Sequence, residues 1–195
     1  MLRRLSSPAR IQASLDDLAY RAEDDPGCPR RVLAEGKANC YDGAIFAAAA
    51  LRRIGHPPLL LDMRAVRDDD HVLAVFRHNG RIGAVAKSNF VGLRFREPVH
   101  RTLRELVLSY FEDYFNADGE KTLRSWSGLL DLRRFDHLNW TFSDRPLQYI
   151  SDRLDSLAHH PVLTRRMERD LSPVDRRSLE AGMLGTLPDG LYRAK

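Results

Sequence analysis

The stretch Asn39-Cys40-Tyr41-Asp42-Gly43-Ala44-Ile45-Phe46-Ala47-Ala48-Ala49-Ala50-Leu51-Arg52-Arg53-Ile54-Gly55 decides how the chain reads. From Cys40 to Ile54 it is apolar on nearly every side, which predicts a helix buried by its neighbours rather than one lying on the surface. Its alanine run lets other elements approach closely. Gly55 is a natural terminator, and His56-Pro57-Pro58 prevents continuation.

Downstream the pattern changes to strands. Residues 59–63 are short and apolar, and 71–77 and 82–87 are joined by His78-Asn79-Gly80-Arg81, where Asn-Gly is the strongest short hairpin signal. Upstream, Ser7-Pro8 reads as cap and first turn of a helix over 8–22, with Ile11, Leu15, Leu18 and Ala19 at helical spacing. Asp24-Asp25-Pro26-Gly27 breaks the chain, and a short helix over 30–35 precedes Gly36. Thr102 and Glu105 form a capping box for a helix over 102–115, with an apolar stripe through Leu106, Tyr110 and Tyr114. Residues 120–145 read as irregular, anchored by Trp126 and Trp140, and 146–185 as helices over 146–158, 161–170 and 173–183. The sum is an α+β fold: a core over 1–145 in which the Cys40 helix packs on an antiparallel sheet, plus a helical extension over 146–195 on the same domain.

Composition narrows the function. At 195 residues the chain fits one domain by the usual allowance of about 100–200 residues. The net charge is +4, but 31 basic residues are interleaved with 27 acidic ones instead of forming a stripe, which argues against nucleic-acid binding. No apolar run approaches the roughly 18 residues of a membrane span. Arg3 and Arg4 are not followed by the apolar core of a secretory signal, so the expected location is the cytoplasm. Cys28 and Cys40 make no disulfide framework and no zinc spacing, and no cofactor or metal is expected.

Cysteine-dependent acyl chemistry needs a thiol, a base, and a group that orients the base. A helix N-terminus favours the thiolate and offers free N–H groups to an oxyanion. Cys40 stands at such a start, and His71 opens the next hairpin. Cys28, beside Gly27 and Pro29, reads as structural. Asp68-Asp69-Asp70 reads as a solvated acidic loop rather than a metal site, and His159-His160 as a helix-end pair.

The pattern Cys40-x-x-Gly43-Ala44-x-Phe46-Ala47-Ala48-Ala49-Ala50-Leu51-Arg52-x-x-Gly55, followed by strands and Asp70-His71-Val72, resembles the core of transglutaminase-like proteins within the papain-like superfamily. The resemblance covers about residues 35–95. It implies a papain-like fold and a triad in which Cys40 attacks, His71 moves the proton, and an aspartate or asparagine on the next strand steadies His71. That strand carries no aspartate. Its far end offers Asn89, the expected orienter, with Ser88 as fallback, and Asn39 is a candidate oxyanion donor. The expected activity is hydrolysis or transfer at a peptide, isopeptide or other amide. The alternative is an inactive domain of the same kind that binds protein partners.

Overall fold

The structure is a computed structural model and describes residues 5–23 and 25–192; Met1–Arg4 and Asp24, which enter the readings of the N-terminus and the first chain break, and residues 193–195 of the expected extension lie outside the described residues. In chain order the elements are α1 Pro8–Asp16, β1 Ala19–Tyr20, α2 Pro29–Glu35, β2 Lys37–Ala38, α3 Cys40–Arg53, β3 Leu59–Ala65, β4 His71–His78 and β5 Arg81–Val85. Then follow β6 Arg96–His100, α4 Leu103–Leu108, β7 Leu123–Ser127, β8 Leu130–Asp131, α5 Leu147–Asp155, β9 His159–Pro161, α6 Arg165–Arg169 and α7 Arg176–Gly182. Short 3-10 turns at Phe111–Asp113, Leu132–Leu138 and Pro188–Gly190 complete the path.

Among the described residues, one sheet has the order β6-β5-β4-β3-β7-β9, with β8 also paired to β3, and β1 and β2 form a separate parallel pair. The pairings β3–β4, β3–β7 and β4–β5 are antiparallel, so the α+β expectation holds at that level. The β4–β5 turn is the expected one. His78 pairs with Arg81, and Asn79 and Gly80 both take positive φ, 49° and 73°, as a tight two-residue hairpin requires.

Both faces of the sheet are covered. Leu60, Val72, Ala74 and Phe76 pack against α1, α2, α3 and α5, with Trp140 filling the same core. Leu61, Met63, Leu73, Val75 and Ile82 alternate to the other side, beneath α4, Tyr110, Tyr114 and Phe115. This double burial explains the nearly unbroken apolar run of β4. In α3, Ile45, Phe46 and Leu51 are buried, a gain of about 1.5–3 kcal/mol each. Gly43 is required by closeness: a Cβ there would lie 2.4 Å from Cβ of Lys87.

Several elements differ from the sequence expectation, each for a local reason. The first helix stops at Asp16 rather than residue 22, because Ala19 N–H turns to Gly36 O and the Lys87 ammonium takes the carbonyls of Leu15 and Leu18. The helix expected over 102–115 ends at Leu108. The carbonyl of Ser109, which would continue it, accepts from Nη2 of Arg96 at 3.0 Å, and Asp113 N–H bonds Tyr110 O instead. The segment taken as irregular contains β7 and β8, and the C-terminal region is not helical alone: residues 159–161 form β9 against β7. No helix among the described residues is long and apolar enough to cross a membrane.

Candidate functional site

Asn39 fixes the start of α3. Its Oδ1 accepts the N–H of Asp42 at 2.9 Å, a standard N-cap worth about 1 kcal/mol. Asp42 itself is buried, accepting from Gly27 N–H at 2.6 Å and lying 3.2 Å from Nε of the equally buried Arg21. Arg21 also donates to Glu35 at 2.6 Å. This ion pair under the first turn holds α3 against the Tyr20–Cys28 region. It was missed in the sequence because neither residue sits in a motif.

Cys40 is a free, half-buried thiol. It points at the start of β4, where Asp70 O lies 3.7 Å from Sγ and Val72 N–H donates to the sulfur. Burial pushes the thiol up to about 12, opposed by the Val72 bond and reinforced by the charges of Asp69, Asp62 and Asp42. It borders a cleft of about 830 Å³, with Tyr20, Tyr41 and Tyr192 as aromatic walls. A smaller recess of about 30 Å³ is lined by both Cys40 and His71.

His71 lies on the α4 face of the sheet, paired across to Met63, so it meets Cys40 only at the end of β4. No hydrogen bond joins the two among the described residues. His71 Nε2 lies 2.8 Å from Leu93 O. A carbonyl can only accept, so Nε2 carries the hydrogen and Nδ1 keeps the lone pair in the neutral ring. Burial lowers the imidazole to about 4, so the ring is neutral at pH 7. Tyr114 packs edge-on to it, 6.4 Å between centroids.

The expected orienters, Ser88 and Asn89, border the same recess as His71 but bond elsewhere. β5 ends at Val85, so Ser88 and Asn89 lie beyond the ladder and neither pairs with His71. Ser88 Oγ accepts from Phe90 N–H. Asn89 Oδ1 accepts from Leu187 N–H at 2.8 Å, and its Nδ2 donates to Leu187 O and Gly190 O. The group that steadies His71 is the Leu93 carbonyl. Asn39 is likewise spent: besides the cap, its Nδ2 reaches Glu23 O at 3.4 Å. The N–H groups of Cys40 and Tyr41, which have no intrahelical acceptor by position, are the donors left for an oxyanion.

The acidic loop is exposed at Asp69 and Asp70, as expected, but its carboxylates are tied to neighbouring elements. Asp70 Oδ1 accepts from Ala65 N–H, and Asp68 Oδ2 from Thr122, with Asp68 raised by burial to about 6. His159 is in a strand, not at a helix end. Its Nε2 lies 2.9 Å from Oδ2 of the buried Asp62, and its Nδ1 lies 2.7 Å from Leu157 O. Asp62 is on the α3 face beside Val72, close enough for its charge to act on Cys40. With both ring nitrogens engaged, His159 is no base for the thiol. Cys28 is buried and starts α2, its N–H donating to Asp144 at 2.8 Å, in keeping with a structural role.

No family model matches the chain, and no curated protein is similar to it.

Proposed function

We propose that the chain is a cysteine-dependent acyl-transfer enzyme with a transglutaminase-like, papain-like core, acting on a peptide, isopeptide or other amide. One observation carries the reading. His71 is held through Nε2–H by Leu93 O, leaving Nδ1 as the basic nitrogen of a neutral ring that shares a recess with Cys40.

Thiol and imidazole both rest uncharged, so the proton moves during attack. The sulfur forms a bond to the carbonyl carbon while its proton passes to Nδ1 of His71. The carbonyl electron pair moves onto oxygen, which the N–H groups at the start of α3 stabilise. The Leu93 carbonyl faces the imidazolium that results, the service an asparagine gives in Cys–His–Asn enzymes. As the tetrahedral adduct collapses, the amine leaves with the proton from His71. A thioester remains on Cys40, to be resolved by water or by a second amine.

The test uses 4-nitrophenyl acetate, small enough for a narrow recess. The expected result is an acetyl group on Cys40, found by peptide mass spectrometry, formed faster than on free cysteine and absent in Cys40→Ser. Acetylation of Cys40 no faster than of a free thiol would sink the proposal. The second reading, a binding module without turnover, is favoured by the engagement of Asn89 with the C-terminal segment. It is the reading that remains if Cys40 stays inert.

A further inference from the structure

After α7 the chain runs beside Asn89 and Val91 and then lines the cleft. Val91 N–H ties to Gly182 O, and the path then meets Asn89. Every bond from the Asn89 amide goes to main chain: 2.8 Å from Leu187 N, 2.9 Å to Leu187 O and 3.0 Å to Gly190 O. An amide used in this way reads a backbone and ignores side chains. Gly190 then passes through a slot. A Cβ there would lie 2.7 Å and 2.8 Å from ring carbons of Tyr20 and 3.1 Å from Nδ2 of Asn89. Gly190 borders both the large cleft and the small recess, the two spaces that share Cys40. Leu187 and Tyr192, by contrast, are exposed although large and apolar. The segment is therefore held mainly by its backbone and by one glycine, with the half-buried Leu191 as its apolar anchor against the core beneath α4.

We infer that Leu187–Tyr192 is an intramolecular occupant of the groove that serves Cys40. Asn89 and Tyr20 are its binding residues, and the ligand class is a polypeptide carrying a tight 3-10 turn that ends in glycine. This rests on Cys40 being the reactive cysteine. The occupied form is a latent one: the segment walls the cleft and the recess that Cys40 borders and narrows the approach of a substrate to the thiol. Asn89, expected as a third member of a triad, becomes a substrate-reading residue.

The full chain is compared with Gly190→Leu, whose side chain has no room beside Tyr20, and with Asn89→Ala. Iodoacetamide labelling of Cys40 is followed by mass spectrometry, with buried Cys28 as an internal gauge of global opening. Each variant should label Cys40 faster by roughly tenfold or more, as release of a locally opening segment allows, with Cys28 unchanged. A synthetic peptide of residues 185–192 added to Gly190→Leu should slow labelling again, and the same peptide with alanine in place of Gly190 should not. Unchanged Cys40 rates in both variants overturn the inference, as does a parallel rise at Cys28 in both. Equal protection by the two peptides also overturns it, since glycine is then not selected. Labelling and protection need no turnover, and acetylation is read in Gly190→Leu as well as in the wild-type chain, so this result and the acetylation result can fail separately.

Discussion

His71 and His159 lie on the same sheet, three strands apart, and both are withdrawn from solvent. Each has a carbonyl as partner, Leu93 O for the first and Leu157 O for the second. They differ in the other nitrogen. In His159 it faces the carboxylate of Asp62, so the ring is closed at both ends. In His71 it is Nδ1, with no hydrogen bond among the described residues, beside a recess that also holds a thiol. Burial alone therefore does not mark a catalytic histidine. What sets His71 apart from His159 is one nitrogen fixed and the other left over.

The largest test of that contrast is kinetic. His71→Ala should slow acylation of Cys40 by about 10²–10⁴-fold, the usual worth of a general base. His159→Gln should change it by no more than a few-fold, because that ring has no nitrogen to offer. Equal losses, measured by the same nitrophenol release, would erase the distinction.

Acid sharpens it next, since the two sites pull stability in opposite directions. His71 is lowered to about 4, so between pH 6.5 and 4 the unfolded chain takes up a proton that the folded chain refuses, and stability falls. The shift corresponds to about 3 kcal/mol. Asp62 is raised by burial to about 6, so the folded chain binds its proton first and gains a comparable amount, about 3 kcal/mol, as pH falls from 6 to 4. That gain is lost as pH rises through 6. Urea melts at pH 7 and pH 4 should show His71→Gln losing less stability on acidification than wild type, and Asp62→Asn losing more.

At neutral pH the closed histidine should matter more to the fold than to chemistry. His159→Leu leaves the buried Asp62 carboxylate without its hydrogen bond, with only Nε of Arg64 at 3.7 Å, and should cost about 1–3 kcal/mol in a urea melt. The smallest effect belongs to the thiol's own helix. Asn39→Ala removes the cap of α3 and should cost about 1 kcal/mol, with a modest fall in the acylation rate as Cys40 loses a fixed position. An unchanged rate would mean that α3 is positioned by the Arg21–Asp42 pair without help from its cap.

The sequence by itself determined what depends on near neighbours. Asn39 and Gly55 bound α3, and Asn79-Gly80 sets the register of β4 on β5, because caps and tight turns are satisfied within a few residues. Tertiary structure decided the rest. The partner of His71 is a main-chain carbonyl, a group that every residue carries and that no motif can announce. Asn89 was read as part of the hairpin, but its partners lie about a hundred positions on, in a segment with no periodic pattern. Asp62 and His159 are joined across β7, although they stand 97 positions apart in the chain. Local geometry fixes where a side chain starts, and only the packed fold fixes what it can reach.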